Sequence, residues 1–296
     1  MKLLLTGSGG QLGHELTDLA RTQEGNLVAL PHGELDITDV TAVRRTLRAN
    51  TDLTAVINAA AFTGVDLAED ERERAFAVNR DGAANLAAVC AELDIPLIHI
   101  STDYVFDGSK VEPYTEDDPP NPISVYGASK LAGEEAVRSS ARRHLIIRTS
   151  WVFSRHGRNF VKTMLRLGGE RAALCVVADQ RGCPTAAADV AAALFHVSAQ
   201  IQGPDFESWG TYNYCGTPPT TWYGFAEAVF REARRRRRLR VKTLKPIPAD
   251  RYPARALRPR NSVLECSRIA RVFGLEQPSW QRRLTETVAR LTKPVT

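Results

Sequence analysis

Thr6-Gly7-Ser8-Gly9-Gly10-Gln11-Leu12-Gly13 follows a short apolar run at 2–5 and leads into a candidate helix that begins near Gln11. Glycines in such a stretch let the chain turn sharply, bring main-chain amides against a pyrophosphate, and pack a helix closely on a strand. The helix N-terminus adds positive potential. A glycine-rich turn alone could be a tight loop. Its position between a first strand and a first helix, at the head of an alternating pattern, makes it a nucleotide-binding turn.

Outward from this turn, short apolar runs at 26–30, 55–57, 96–100 and 144–148 alternate with candidate helices beginning near Asp39, Arg72, Asp81 and Tyr126. Short, continuous, apolar strands are what a parallel sheet covered on both faces requires. The expected fold is therefore α/β, a Rossmann-type doubly wound parallel sheet with a smaller C-terminal lobe. Residues 1–150 form the nucleotide-binding domain and 151–296 mainly the second lobe, with later segments free to return to the sheet. Past Ser150, prolines at 184, 204, 218, 219, 246–259 and 278 separate shorter elements. The loop 107–123, rich in Pro and Asp, is too long for a routine turn and is expected to border a site.

With 296 residues, 43% hydrophobic and 25% charged, the chain falls outside the disordered and fibrous classes. The apolar opening Met1 to Leu5 stops at Thr6-Gly7, too short for a signal peptide, and no later run approaches the roughly 20 apolar residues of a membrane span. A cytoplasmic protein with no membrane or nucleic-acid partner is expected. Five cysteines (Cys90, Cys175, Cys183, Cys215, Cys266) are dispersed without metal-ligand spacing and read as small core residues in a reducing compartment. The net charge of +5 owes much to Arg234 to Arg238 and Arg240. That run contains no stacking aromatics, so it reads as a solvated helix end near the negative pole of the helix dipole.

Chemistry enters at Tyr126-Gly127-Ala128-Ser129-Lys130. Residues four apart on a helix share a face, and an ammonium near a phenol favours phenolate, making the phenol a better acid at neutral pH. Two unit charges about 4 Å apart gain roughly 4 kcal/mol at an effective dielectric of 20. Asn58 to Thr63 and Ser101-Thr102-Asp103-Tyr104 follow the third and fourth candidate strands, at the carboxyl edge where ligands bind in open sheets. Thr102 is placed to hold a carbonyl by hydrogen bond beside Tyr126. The second strand ends Leu30-Pro31-His32 with no carboxylate before Glu34. The usual repulsion of a 2′-phosphate is thus missing, which permits NADPH without requiring it. Asp36 and Ile37 either sit by the adenine or prepare a helix cap before Asp39.

The chain resembles the extended short-chain dehydrogenases/reductases, and within them the dTDP-4-dehydrorhamnose reductase family. The resemblance rests on Gly10 to Gly13, Asn58 to Thr63 with Val65-Asp66 and Ala68-Glu69, STDYVFDG at 101–108, YGASKLAGE at 126–134, RTSWVF at 148–153, QRGCPT at 180–185 and RPRNSVL at 258–264. These stretches cover nearly the whole chain, and STDYVFDG and RTSWVF are far more specific than the glycine turn. The resemblance implies Thr102, Tyr126 and Lys130 as the catalytic set, with Tyr126 protonating the C4 oxygen of the sugar. It implies cofactor contacts from Gly7, Gly10, Gln11, Leu12, Gly13, Asp36, Ile37, Ala61, Phe62, Thr63, Tyr126 and Lys130. Substrate contacts would come from Thr102, Asp103, Tyr104 and Trp151.

The implied activity is reduction of the C4 ketone of a dTDP-sugar, dTDP-4-dehydro-6-deoxy-L-mannose, with NADPH favoured over NADH, closing dTDP-L-rhamnose synthesis. Other readings are an epimerase or dehydratase of the same superfamily and a non-catalytic NADP-binding regulatory subunit. Intact Thr102, Tyr126 and Lys130 speak against the last. Some family members dimerise through glutamates around magnesium. Glu15 matches one such position, but Ala188 and the tail near Arg290 offer no carboxylates, so the expectation is no metal and a monomer or homodimer.

Overall fold

The computed structural model describes residues 1–22, 26–203 and 206–292; Pro204, read above as a loop marker, lies outside them. The first half is built from β1 (Lys2–Thr6), α1 (Gln11–Thr22), β2 (Asn26–Leu30), α2 (Val40–Ala49), β3 (Ala55–Asn58), α3 (Val65–Asp70), α4 (Arg72–Phe76), α5 (Gly82–Glu92), β4 (Leu97–Thr102), α6 (Val125–Ser140) and β5 (His144–Thr149). A π-helical turn, Ala77–Asp81, joins α4 to α5. Asp39 caps α2 by accepting from the Thr41 and Ala42 amides, and Ser124 caps α6 through the Gly127 amide.

The second half adds β6 (Val152–Phe153), α7 (Phe160–Glu170), β7 (Ala173–Val177), β8 (Arg181–Gly182), β9 (Thr185–Ala186), α8 (Ala187–Gln200), β10 (Gly210–Asn213), β11 (Thr220–Thr221), α9 (Trp222–Arg234), β12 (Thr243–Ile247), α10 (Ser267–Phe273) and α11 (Trp280–Leu291).

Six strands form one parallel sheet in the order β10-β5-β4-β3-β1-β2. Strand order reverses between β1 and β3, and ligands of open parallel sheets bind at such a reversal, outside the carboxyl ends of the strands. The glycine turn after β1 and the segment 58–63 after β3 flank that point. β1 and β4 are buried almost throughout because helices cover both faces. One core joins Leu3, Leu5, Ile57, Ile98 and Leu145 to Leu16 of α1, Leu194 of α8 and Phe273 of α10. On the opposite face Leu4, Val56, Leu97 and Ile146 pack against Val43, Leu86 and Val137 of α2, α5 and α6.

A separate apolar cluster joins Phe153, Val161, Leu165, Phe225, Phe230 and Leu284, so α7, α9 and α11 form a body of their own. The chain does not divide cleanly in space, however: β10 extends the sheet beyond β5, and α8 and α10 help cover its face. The arginine run begins at the last residue of α9 and continues past it. Arg235 pairs with Glu232 at 3.0 Å, while Arg234 and Arg237 donate to the carbonyls of Val241 and Leu165. No described helix is long and apolar enough to cross a membrane.

Candidate active site

Gly7 has φ +72°, and a Cβ there would lie 2.5 Å from the Ala60 amide nitrogen. Gly13 has no room either, with Gly7 O 2.5 Å from where its Cβ would stand. These two positions bring the glycine turn against the loop after β3 and seat α1 on β1. Gly9 and Gly10, by contrast, are exposed at the N-terminus of α1, and a Cβ on Gly9 would meet nothing nearer than Pro31 at 4.0 Å. Amides at an open helix N-terminus suit a pyrophosphate. Gln11 reaches the second half, accepting from Asn159 Nδ2 at 2.9 Å. Ile37 is buried against Gly82, and Asp36 accepts from the Thr38 amide and hydroxyl at 2.9 and 2.8 Å, a contact that lowers its pKa.

The segment 61–63 is held by a residue that sequence reasoning missed. Asn79, on the π turn, accepts from Phe62 N at 2.8 Å and donates to Phe62 O at 3.1 Å, and its amide also donates to Ser129 Oγ at 2.9 Å. The Ser129 hydroxyl in turn donates to Tyr126 O. The π turn thus ties the loop after β3 to the helix that carries Tyr126 and Lys130. Such turns recur at functional sites, but a single extra residue in a helix leaves no periodic mark in a sequence.

At the carboxyl end of β4, Thr102 Oγ1 accepts from Tyr104 N at 3.2 Å and donates to Asp103 Oδ1 at 3.0 Å. Asp103 is buried, its Oδ2 has no protein partner, and burial pushes its carboxyl up to about 7. The rings of Tyr104 and Tyr126 meet edge to face, 6.1 Å apart. The loss of water around Tyr126 pushes its phenol up to about 12, and the Thr102 hydroxyl pulls the other way.

Lys130 shares a face of α6 with Tyr126, as its spacing requires, but its Nζ donates to Ile100 O at 2.6 Å and lies 3.4 Å from His99 Nε2. Burial pushes Lys130 down to about 8. The amino group is engaged with β4, and burial is the largest influence on the phenol's pKa. Behind the pair, buried Glu134 accepts from Arg148 at 2.9 and 2.7 Å and from Ser101 at 2.5 Å, locking α6 to β5 and β4.

Trp151 follows β5 at the same edge of the sheet, since Thr149 and Thr102 are register partners. It has φ +46° and stacks on Trp222 with ring centroids 3.5 Å apart. Gly182 makes room for the indole; a Cβ there would lie 2.4 Å from it.

Arg258, in the RPRNSVL stretch, binds both oxygens of Asp66 at 3.1 and 2.7 Å and pins the C-terminal segment beside α3.

Two further groupings were not visible in the sequence. Cys215 Sγ lies 3.7 Å from Cys266 Sγ with Cys183 beside it, so three dispersed cysteines converge in the core. Glu15, Asp18 and His156 bring ligand-type atoms together, but Asp18 is already paired with Arg155 and His156. Ala188 and Arg290 line the same small cavity as Glu15, alongside Arg283 and Glu286.

A family model described as the RmlD substrate binding domain matches residues 1–293. A dTDP-4-dehydrorhamnose reductase of Sinorhizobium fredii is 42% identical over 283 residues, 95% of this chain and 94% of that protein. The chain belongs to the dTDP-4-dehydrorhamnose reductase family. The Escherichia coli reductase is 40% identical over 288 residues, 95% of each chain. Among solved structures, a Clostridium acetobutylicum dTDP-4-dehydrorhamnose reductase superposes with TM-score 0.91 at 35% identity, covering 99% of this chain and 100% of that one. A Bacillus anthracis dTDP-4-dehydrorhamnose reductase, solved in complex with NADP, gives TM-score 0.89 at 36% identity over 98% and 100%. The glycine turn, STDYVFDG and YGASKLAGE all lie within the matched residues 1–293.

Proposed function

We propose that this protein reduces the C4 ketone of dTDP-4-dehydro-6-deoxy-L-mannose to dTDP-L-rhamnose, the last step in making that sugar donor, with NADPH or NADH. The observation that carries the reading is the cluster of Thr102, Asp103, Tyr126 and Lys130 at the carboxyl edge of the sheet, beside its order reversal. The amides of Gly9 to Leu12 would hold the pyrophosphate, and Ala61 to Thr63 the cofactor beyond it, positioned by Asn79. His32 rather than a carboxylate follows β2, which leaves a 2′-phosphate unopposed.

A reduced nicotinamide supplies the hydride. The chain's own residues supply the rest. Tyr126 keeps its proton at neutral pH and gives it to the developing alkoxide, Thr102 holds the same oxygen by hydrogen bond, and Lys130 would hold the nicotinamide ribose. Asp103, Tyr104 and Trp151 would line the sugar. Positioning contributes much of the rate, since both transfers need the ketone fixed between two donors.

The test is to mix purified protein with the 4-keto sugar nucleotide and either cofactor, and to follow the absorbance of the reduced nicotinamide. Consumption equal to the dTDP-L-rhamnose formed is expected. Product without net oxidation would mean an epimerase-like recycling of cofactor, and no turnover with this ketone would remove the assignment.

A further inference from the structure

His99 interrupts an otherwise apolar strand, Leu97-Ile98-His99-Ile100, and is 1% exposed. A polar ring so placed must be fully satisfied or costly. Its partners lie on both sides: Asn58 Nδ2 at 3.0 Å from Nδ1, and Lys130 Nζ at 3.4 Å from Nε2.

The direction of each bond can be deduced from groups that have no choice. The Ala60 amide can only donate, and it points at an Asn58 side-chain atom 3.1 Å away, so that atom is the oxygen Oδ1. Thr6 Oγ1 donates to the same oxygen at 2.8 Å. Asn58 must therefore turn its NH₂ towards His99, and Nδ1 must accept. A neutral imidazole that accepts at Nδ1 carries its proton at Nε2, and Nε2 faces Lys130. A cationic ring is excluded by the same geometry, because Nδ1–H would oppose the Asn58 NH₂. Burial and the nearby Lys130 charge likewise hold His99 well below its ordinary pKa.

An N–H directed at an ammonium is repulsive, whereas an N–H directed at a free amine is a hydrogen bond. We infer that Asn58 fixes His99 as the Nε2–H tautomer and that His99 in turn positions Lys130 as a hydrogen-bond acceptor, favouring the free amine over the ammonium. His99 is thus a positioning residue, and the chain Thr6, Asn58, His99, Lys130 links the strand that carries the nucleotide turn to the helix that carries the acid. The inference rests on Lys130 belonging to the reductase site.

The other titratable groups around Lys130 are Tyr126 and Glu134 on its own helix and, on β5, His144 beyond His99 and Arg148. Glu134 opposes the effect by favouring the ammonium, but Arg148 and Arg138 occupy its oxygens. Burial therefore prevails and leaves Lys130 pushed down to about 8.

The test uses the whole resting protein without substrate, so it stands or falls separately from the assigned reaction. Nitrogen NMR of the histidine rings should find His99 neutral and protonated at Nε2 from pH 6 to pH 9. Carbon NMR of labelled lysine side chains should give the Lys130 titration. In His99→Leu no N–H faces Lys130, so the Lys130 pKa should rise by about one pH unit, a tenfold change in its ionisation constant. The high-pH limb of kcat/KM should move the same way. If His99→Leu does not fold, Asn58→Asp provides the second reading: its carboxylate requires Nδ1–H, which turns the Nε2 lone pair to Lys130 and again raises its pKa. Protonation of His99 at Nδ1 in the native protein, or an unmoved Lys130 titration in a folded variant, overturns the inference.

Discussion

Tyr126 is a protonated acid whose pKa of about 12 reflects lost water more than any neighbouring charge. Replacing its hydroxyl removes a proton donor but no hydrogen bond to the cofactor's pyrophosphate. Tyr126→Phe is therefore expected to lower kcat by roughly 10²-fold or more while calorimetric affinity for NADPH stays within a few-fold; unchanged turnover would exclude Tyr126 as the acid.

Asp103 gives a prediction in pH. Its pKa is raised from 3.8 to about 7, so between those values the native state holds a proton that the unfolded chain has lost. Native binding of the extra proton makes stability fall as pH rises through that window, and the penalty is complete above pH 7. Asp103→Asn lacks this titration. Its stability relative to the native protein should climb by a few kcal/mol from pH 4 to pH 7, at about 1.4 kcal/mol for each pH unit crossed, and then level off. Urea unfolding at a series of pH values measures it, and a flat difference would mean that the carboxyl is ordinarily solvated.

At the level of elements, α6 is the piece that the site depends on, since it carries both Tyr126 and Lys130. Its position is fixed by Glu134, which is fully buried between Arg148 and Ser101. Removing one partner of a buried pair strands the other charge, which costs about 3–5 kcal/mol. Arg138 binds the same carboxylate from a side chain 35% exposed, and pairs of that kind contribute about 0–1 kcal/mol. Glu134→Ala should therefore destabilise the protein several times more than Arg138→Ala in chemical denaturation; equal effects would show that the inner pair does not lock the helix. Gly133 contributes to the same docking: a Cβ on it would lie 2.1 Å from Asn79 O, so the helix and the π turn meet main chain to main chain.

For the whole molecule, the proposed boundary near residue 150 divides sequence more cleanly than it divides space. β10 covers the edge of β5, and α8 and α10 cover the face of the sheet that includes Leu3, Leu5 and Leu145. A fragment of residues 1–150 would expose that face together with an unpaired strand edge, a combination that favours aggregation. It should not yield a soluble, protease-resistant domain, whereas the full chain should. A folded, monomeric 1–150 fragment, judged by circular dichroism and limited proteolysis, would establish an autonomous nucleotide-binding domain instead.

The parallel sheet was legible in the sequence because strands covered by helices must be short and largely apolar, and the strands of the first half are, His99 being the polar interruption of β4. The glycine turn was legible because only glycine tolerates the left-handed conformation and the close approach to Ala60. What gathers around the site was not. Asn79 acts from an irregular helical turn, His99 bonds Asn58 across the sheet, Asp103 owes its raised pKa to burial, and β10 returns to β5 across a long separation in the chain. Residue types and their spacing along one element determine local chemistry, whereas burial, tautomer and charge state depend on which distant groups the packed chain brings within bonding distance.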